Sequence, residues 1–552
     1  MNVDIMRERD LKDYLLFGTR GHNHLLAAAQ KAFALANGAG AEAPFLIGLG
    51  ARLFCMAWAE FPLNAPLAGE VVKLYEGIPA VRQILTPHSL AVAKRISRSG
   101  HGEGSLEASS LFMQGRYAEL DECLMNSARG DMVLPVARQA MLYQGLLSKW
   151  GWLEGFVQRV LAPVEPELAK VLLAEVLLAH GKSRAAVRAY EPLLERFGLT
   201  TVGLNLATAY ADSGEKEKAM ALLRELLTEF PLHTSALLLM DSLAFPAKRD
   251  VRLNGKCVVC IYSYNKADEL GRTLESVLAS DLSKNVGDIS LRVLVNGSED
   301  ESLEIVKAAK FSFDGELDIV DLPVNVGAPA ARNWLIDAAG KDGAEWVVFL
   351  DDDVIVPYDW LLGLAAGTEE FPDAGVWGCR VRDAVSPNIT QHADGFVLCR
   401  EDAAKQDGRV ILHEPLTECL IPSQLNYRRY ASSVTGCCHL FRLEELQQRK
   451  GFDLLFSPSQ FDDLDLDLRM LRDGKPAAYL GDVDIKHLRV SNHLRAQSEE
   501  AERQSRNHRQ LLEDRHDKQL ESILDTQFAY LRADIAAKKI RLQKAGLLPV
   551  SV

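Results

Sequence analysis

Three adjacent carboxylates follow a very apolar segment in the middle of the chain. The segment EWVVFLDDDVIV runs from Glu345 to Val356, with Asp351, Asp352 and Asp353 at its centre. Like charges at neighbouring positions repel one another, and a buried carboxylate without a counter-charge costs far more. The run is therefore either a solvated turn or a place where something positive belongs.

A divalent cation is one candidate for that positive group. Two carboxylates separated by one residue at a strand end, here Asp351 and Asp353, are well suited to hold a metal ion. Oxygen ligands favour Mg²⁺ or Mn²⁺, and such ions often share the phosphates of a substrate. Taken alone, three consecutive aspartates are more typical of a solvated turn, so the surrounding sequence has to decide.

Composition narrows the class of protein. The chain has 552 residues, 48% hydrophobic and 25% charged, which is ordinary for a soluble globular protein of about two to four domains. Its formal net charge of -14 argues against nucleic-acid binding. Nine cysteines without disulfide-like spacing indicate a reducing compartment. With no apolar signal core and no apolar run of about 20 residues, we expect a cytoplasmic protein without a transmembrane segment.

Residues 1–245 carry Ala and Leu at helical spacings and predict an all-α domain. A repeat is clearest over 169–232, where segments beginning at Gly181 and Gly214 are offset by 33 residues. The offset aligns small and aromatic positions: Ala186 with Ala219 and Phe197 with Phe230. This pattern is typical of tetratricopeptide repeats, which offer a groove for a protein partner. The alternative is a generic helical bundle.

The pattern changes after a polar joint at Phe245–Lys256. Over 255–490, short apolar runs alternate with amphipathic helices, which predicts a mostly parallel sheet with helices on both faces. Ligands gather at the carboxyl ends of such strands, where the three aspartates lie. Residues 491–552 are charged and predict helices. An apolar stripe between Leu520 and Ile535 either packs back on the body, which we expect, or pairs with another subunit.

Several motifs surround the aspartates in a fixed order. They are YSYNKADELGRTLESVL from Tyr262, VNGSEDES from Val295, NVGAPAARNWLIDAA from Asn325, and GCCHLFRLEEL, FDDLDLDLRMLRDG and DVDIKHLR between Gly436 and Arg489. Over residues 256–489 this order and spacing resembles the family 2 glycosyltransferases. The resemblance implies an α/β domain of the GT-A, or nucleotide-diphospho-sugar transferase, fold. The TPR-like domain would precede it, and a C-terminal helical extension would follow.

The resemblance assigns roles to residues on the donor side. Ser263 and Asn265 would meet the nucleotide, and Arg332 would lie near the donor diphosphate or sugar. Asp351 and Asp353 match the DxD motif. The first would face the ribose or the metal, and the second would bind a Mn²⁺ or Mg²⁺ ion that bridges the diphosphate.

The later motifs carry the remaining roles. Asp463, in an acidic pair with Asp462, would be the general base, and His487 matches a histidine that contributes to the metal site in some GT-A enzymes. Two positions depart from the family: Val295 replaces an aspartate that reads the base, and Tyr262 replaces a proline. A UDP-sugar is the usual donor, but these departures leave the nucleotide open.

The residues themselves leave other interpretations open. His487 alone would be a structural histidine, and Arg332 would be a helix-surface cation beside Asp337 or Glu345. Cys257, Val258, Val259 and Cys260 form a CxxC spacing within a predicted strand, which indicates core packing. For Trp360 two interpretations remain: its ring would stack on a sugar of the acceptor, or it would pack in the core.

Together these observations predict a metal-dependent, inverting glycosyltransferase acting on a glycan or protein hydroxyl. A cation would stabilise the diphosphate leaving group, and one carboxylate would activate the acceptor. One alternative is a nucleotidyltransferase, but the turn after the first strand lacks a glycine-rich phosphate loop. The other is a non-catalytic scaffold with an inactive domain. The presence of Asp351, Asp353 and Asp463 argues against this alternative.

Overall fold

Helices alone build the first part of the protein. The computed structural model describes residues 11–99, 102, 104–283, 286–399, 410–415, 419–488 and 499–550. The α-helices up to residue 244 are α1 (Leu11–Leu15), α2 (His22–Ala36), α3 (Ala43–Glu60), α4 (Ala65–Gly77), α5 (Val81–Ile84), α6 (Pro87–Arg98), α7 (Leu106–Met113), α8 (Tyr117–Ser127), α9 (Val133–Leu146), α10 (Trp150–Phe156), α11 (Pro166–Ala179), α12 (Ser183–Phe197), α13 (Leu204–Asp212), α14 (Lys216–Glu229) and α15 (Thr234–Ala244). Short π-helical segments precede α11 and α13, at Val157–Leu161 and Leu199–Gly203. The predicted all-α domain is confirmed.

Two successive helical hairpins lie where the sequence repeat predicts them. Helices α11 and α12 meet at Gly181, and α13 and α14 meet at Gly214. Both glycines have positive φ, 75° and 87°, a conformation that costs other residues energy. Ala186 and Ala219 are fully buried where the helices pack. Assignment of these hairpins to the tetratricopeptide class stays a prediction.

A mixed β-sheet forms the centre of the second part. Its strands are β1 (Lys256–Ser263), β2 (Asp288–Asn296), β3 (Leu317–Leu322), β4 (Trp346–Asp351), β5 (Val354–Ile355), β6 (Val376–Asp383), β7 (Thr390–His392), β10 (Arg428–Ala431), β11 (Cys438–Arg442) and β12 (Ala477–His487), and β8 (Phe396–Cys399) and β9 (Val410–His413) pair separately. Its helices are α16 (Ala267–Leu278), α17 (Ser302–Ser312), α18 (Ala328–Lys341), α19 (Trp360–Glu370), α20 (Leu443–Gln448) and α21 (Asp462–Arg472). Apolar clusters cover both faces of the sheet, so the predicted α/β architecture is confirmed.

Strand order brings the chemical motifs together. The main path runs β10-β12-β6-β11-β4-β1-β2-β3. β4 is parallel to β1, so Asp351 at its end pairs in register with Tyr262. β11 lies antiparallel on the other side of β4, which places Cys437 against Asp351, with the Asp351 N–H donating to the Cys437 carbonyl at 3.1 Å. Cys257 and Cys260 point into the two opposite apolar clusters, as the core interpretation requires.

Two C-terminal helices, α22 (Glu499–His516) and α23 (Leu520–Lys544), pack back on the body. The predicted stripe of α23 is buried: Leu520, Leu524, Phe528, Leu531 and Ile535 are each at most 8% exposed. Arg541 of α23 pairs with Asp241 of the helical domain. Gln527 hydrogen-bonds the backbone of Val397 in the α/β part. Helix α23 therefore joins the two domains.

One described helical stretch has the length and composition of a membrane span. It is Gly40–Glu60, with a mean hydropathy of 1.2. Leu53, Cys55 and Trp58 of this stretch are buried in the helical domain. The apolar composition therefore also serves the packing of that domain.

Removing core contacts of α23 is expected to destabilise the whole protein. Leu531→Ala should lower the free energy of unfolding by about 3 kcal/mol, because it leaves a cavity at a side chain that is 1% exposed. Ile540→Ala on the same helix, where the side chain is 49% exposed, should cost less than about 1 kcal/mol. Urea unfolding followed by tryptophan fluorescence measures both. Equal losses would show that α23 does not pack as described.

Candidate active site

Four of the predicted site residues line one cavity of about 770 Å³ at the carboxyl ends of the strands. Arg332, Asp351, Asp463 and His487 all line it. They come from α18, β4, α21 and β12, so four separate segments of the chain build the site. Such a set, gathered at strand ends, is where ligands bind in open α/β sheets.

The three consecutive aspartates have different surroundings. Asp351 faces the cavity, and its carboxylate accepts a hydrogen bond from the Tyr262 hydroxyl at 2.9 Å. Asp352 and Asp353 are buried, and the Lys266 ammonium contacts both, at 2.8 and 2.9 Å. The sequence predicted a positive group beside the three aspartates. For Asp352 and Asp353 that group is Lys266, which lies in the turn after β1.

Burial and counter-charge act in opposite directions on these two buried acids. Burial raises the pKa of Asp352 to about 6, although the charge of Lys266 opposes the shift. At Asp353 burial also favours the neutral form, but hydrogen bonding and charge from His487 together with Lys266 hold its pKa well below the usual value. Asp353 therefore stays ionised, and Asp352 is the more easily protonated of the two acids.

A group of side chains able to hold a cation lies at the floor of the cavity. One ligand atom each from Asp351, Cys437 and His487 lie within 4.8 Å of one another. The carboxylate and the imidazole are compatible with Mn²⁺, whereas Mg²⁺ favours oxygen ligands throughout and thiolates favour softer ions such as Zn²⁺. Burial raises the pKa of the Cys437 thiol, which opposes its ionisation to a thiolate ligand. Cys437 belongs to the motif GCCHLFRLEEL, and its position opposite Asp351 depends on the pairing of β11 with β4.

The orientation of His487 is fixed from both sides. Its Nε2 lies 3.0 Å from Asp353 Oδ1, and its Nδ1 lies 2.8 Å from Gln391 Oε1. Asp353 therefore contacts the imidazole directly, although it is not one of the three clustered groups. Its role as a metal ligand stays a prediction, and the carboxylate–histidine contact is one that typically orients a metal-binding imidazole.

Arg332 is a buried cation between the two acidic motifs. Its guanidinium donates to Asp462 at 2.5 Å and approaches Asp351 at 3.5 Å. The rings of Tyr262 and Phe452 lie 5.0 Å from it on cation–π contacts. Burial raises the pKa of Asp462 to about 6, while the charge of Arg332 opposes that shift. The interpretation of Arg332 as a helix-surface cation is therefore wrong.

Asp463 lies in the first turn of α21 and lines the cavity. The Gly436 N–H donates to one carboxylate oxygen at 2.8 Å, and the Leu464 N–H donates to the other at 2.9 Å. A Cβ at position 436 would lie 2.8 Å from Arg332 Nη2 and 3.0 Å from Asp463 Oδ2, so only glycine permits this approach. The carboxylate is thus held by the backbone and open to the cavity.

The two residues predicted to meet the nucleotide do not line the cavity. Ser263 is buried at the end of β1. Asn265, with φ of 51°, links the turns after β1 and β2: its N–H donates to Ser298, and its side chain accepts from the Glu299 N–H. Both residues therefore shape the rim of the site, and their contact with a nucleotide stays a prediction.

Sequence reasoning missed Lys266 and the hydroxyl role of Tyr262. Lys266 follows β1 in the motif YSYNKADEL, and its positive charge near a run of acids was an available signal. Tyr262 was noticed only as a departure from the family, although its hydroxyl binds Asp351 and its ring supports Arg332. Trp360 is fully buried in the core, and its indole N–H donates to Ser280 at 2.9 Å.

Comparison with known proteins gives one sequence family. Residues 258–443 match the profile described as Glycosyl transferase family 2. No curated protein sequence matches the chain. Among solved structures, S. aureus TarS aligns at 17% identity and a TM-score of 0.30 over 42% of this chain and 37% of that chain. A structure of GalNAc-T7 with UDP, GalNAc and Mn²⁺ aligns at 14% identity and a TM-score of 0.33 over 44% of this chain and 46% of that chain.

Neutralising Lys266 is expected to cost stability in a pH-dependent way. Lys266→Met should lower the free energy of unfolding by about 2 kcal/mol at pH 7.5, a value that allows for the partial exposure of the lysine. The loss should shrink at pH 5. The pKa of Asp352, already about 6 beside Lys266, would rise further in the variant, so this acid would then be uncharged.

Urea unfolding at the two pH values measures the effect. The matched control is Lys307→Met, at an exposed lysine of α17, which should change stability by no more than about 0.5 kcal/mol at either pH. A loss for Lys266→Met that is the same at pH 5 and pH 7.5 would contradict the pairing with Asp352 and Asp353.

Proposed function

Because residues 258–443 are a family 2 glycosyltransferase domain, we propose that the protein transfers a sugar from a nucleotide-diphosphate donor to a hydroxyl group of an acceptor. The observation that carries the proposal is the cavity itself. It contains a cluster of side chains with the types and spacing of metal ligands and, on a different segment, a backbone-held carboxylate. These are the two parts that such a reaction needs, one for the leaving group and one for the acceptor.

On the donor side, Asp351 and His487 would hold the cation, with Cys437 beside them. A bound Mn²⁺ or Mg²⁺ ion would supply positive charge to the diphosphate leaving group. Tyr262 holds the carboxylate of Asp351 in place, and Asp353 would orient the imidazole of His487 through Nε2. The Nδ1 atom, which faces Gln391, would then exchange that contact for the cation. We propose a UDP-sugar as donor, since UDP is the usual nucleotide of the family 2 glycosyltransferases that this domain resembles.

On the acceptor side, Asp463 would act as the general base. The acceptor oxygen would attack the anomeric carbon of the sugar, while the bond from that carbon to the diphosphate oxygen breaks. The hydroxyl proton would pass to the Asp463 carboxylate, and the anomeric configuration would invert in this single displacement. Hydrogen bonds from the Gly436 and Leu464 N–H groups fix the carboxylate for this step.

Arg332 would hold the carboxylates of Asp351 and Asp462 in position and would take no part in the proton transfer to Asp463. Its guanidinium lies between Asp462 and Asp351, so it balances negative charge from both motifs. Without it, two acids near Asp463 would repel one another inside a buried site. We also propose that the enzyme works in the reducing cytoplasm, where its nine cysteines, none of which forms a disulfide bond in the described part of the chain, stay reduced.

Replacing the proposed base separates catalysis from binding. Asp463→Asn should reduce transfer by a factor of roughly 10² to 10⁴, the usual contribution of a general base. Transfer to water serves as the assay, with release of UDP from UDP-glucose, UDP-galactose and their N-acetyl forms measured with Mn²⁺ present. Binding of UDP should remain within about threefold of wild type, because the side chains assigned to the cation remain.

Asp314→Asn is the matched control, since this aspartate lies exposed in a loop away from the cavity. It should leave both UDP release and UDP binding unchanged. Full UDP release by Asp463→Asn would remove Asp463 from the role of base. Equal loss of binding and release would show that Asp463 holds the donor instead.

A further inference from the structure

Helix α22 of the C-terminal extension reaches the catalytic cavity. Ser505 and Arg509 of this helix line the cavity together with Asp462 and Asp463. Residues four apart on an α-helix lie on the same face, one turn from each other, so the hydroxyl and the guanidinium face the same opening. Helix α22 lies outside residues 258–443, which match the family profile, and the proposed transfer makes no use of either side chain.

The helix is docked on the segment that leads to the proposed base. The amide of Gln504 and the ring of His508 both donate to the Ser459 carbonyl, at 3.2 and 3.1 Å. Ser459 itself lines the cavity and lies four residues before Asp463 in the chain. Because Arg509 follows His508 directly, it enters the cavity from the side of the proposed base.

A buried acid of α21 holds the next turns of α22. Arg515 Nη1 and His516 Nε2 each lie 3.0 Å from Asp465 Oδ1. Burial favours the neutral form of Asp465, but His516, Arg469 and Arg515 together hold its pKa below the usual value. Contacts on both sides of Arg509 along the helix therefore fix its position at the cavity.

The two side chains of α22 are available to a ligand. Within the part of the chain that the structure describes, neither the Arg509 guanidinium nor the Ser505 hydroxyl has an ion pair or a hydrogen bond. Arg332, the other guanidinium in the described wall of the cavity, is taken up by Asp351 and Asp462. A guanidinium presents a fork of N–H donors that matches phosphate and carboxylate oxygens, and a nearby hydroxyl adds one more donor.

The position of Arg509 favours the acceptor as the source of this anion. A cation at Asp351 and His487 would meet the donor diphosphate, and these two side chains come from β4 and β12. Arg509 is held instead against the segment of Asp463, where the acceptor hydroxyl would lie. Asp463 must be negatively charged to accept a proton, so it would repel an anionic acceptor unless a cation offset the repulsion. Arg509 supplies such a cation.

We propose that Ser505 and Arg509 form a subsite for a phosphate or carboxylate group of the acceptor, near the hydroxyl that receives the sugar. The inference rests on the proposed function, because it names the acceptor class of that reaction. The guanidinium would bind the anion through two parallel N–H groups, and the Ser505 hydroxyl would donate a third hydrogen bond. Helix α22 would thus select acidic or phosphorylated acceptors.

Calorimetric titration tests the subsite on the full-length protein saturated with UDP and Mn²⁺. The probes are glucose 6-phosphate, glucuronate and the neutral sugar glucose. Wild type should bind at least one anionic probe about fivefold or more tightly than glucose, because hydrogen bonds to a charged group are the stronger ones. Arg509→Gln should weaken binding of that probe roughly tenfold, and Ser505→Ala should weaken it about threefold. Glucose should bind both variants as it binds wild type.

Two control variants separate the subsite from a general effect of charge. Arg503→Gln changes an exposed arginine of the same helix that lies outside the cavity, and it should bind all three probes like wild type. Arg509→Lys keeps the positive charge without the fork of donors, so it should bind the anionic probe more tightly than Arg509→Gln does. An equal loss in Arg503→Gln and Arg509→Gln would overturn the proposal.

Three further results would also overturn it. The first is that wild type does not prefer either anionic probe to glucose, the absence of any binding included. The second is a preference that Arg509→Gln retains. The third is a loss of UDP affinity in Arg509→Gln as large as the loss for the anionic probe, which would assign Arg509 to the donor diphosphate.

UDP binding by wild type with Mn²⁺ reports separately on the proposed function. The titrations with the three probes are therefore repeated without UDP and Mn²⁺. If UDP does not bind but the anionic probe still binds in an Arg509-dependent way, the transferase proposal fails and the anion subsite stands. If UDP binds and the anionic preference is absent, only the subsite fails.

Discussion

The site depends on how three adjacent negative charges are balanced at the end of a buried strand. Lys266 neutralises Asp352 and Asp353, while Arg332 and the Tyr262 hydroxyl hold Asp351 toward the cavity. Two of the three acids are thus satisfied by the protein itself, and the third remains available to a ligand. Since an unpaired buried carboxylate would not stay ionised, this division of charge distinguishes the two buried acids from the one that faces the cavity.

The positions of the surrounding elements follow from that balance. Strand β1 must lie beside β4 for Lys266 and Tyr262 to reach the aspartates, and β11 must lie on the other side for Cys437 to do so. The helical domain shares one continuous apolar core with a face of the sheet, and α23 spans both parts. The two parts are therefore not independently packed modules.

The sequence predicted the elements and the main motifs because they depend on local patterns. Helix and strand periodicity predicted the α/β sheet and the buried stripe of α23, and the motif order singled out Asp351, Asp463 and His487, which line one cavity. Contacts between distant segments were not predictable in this way. The pairing of Arg332 with Asp462, the approach of Cys437 to Asp351 and the contact of Lys266 with two aspartates all depend on strand order, which no local pattern encodes.

We propose that the cavity binds a nucleoside diphosphate through a cation held near Asp351 and His487. The most direct test is calorimetric titration of the protein with UDP, GDP, CDP and TDP, each with Mn²⁺ and with chelator. One nucleotide should bind with Mn²⁺, lose at least about tenfold in affinity with chelator, and lose a similar amount in Asp351→Asn and His487→Ala. Binding that is equally tight with chelator, or absent for all four nucleotides, would contradict the claim.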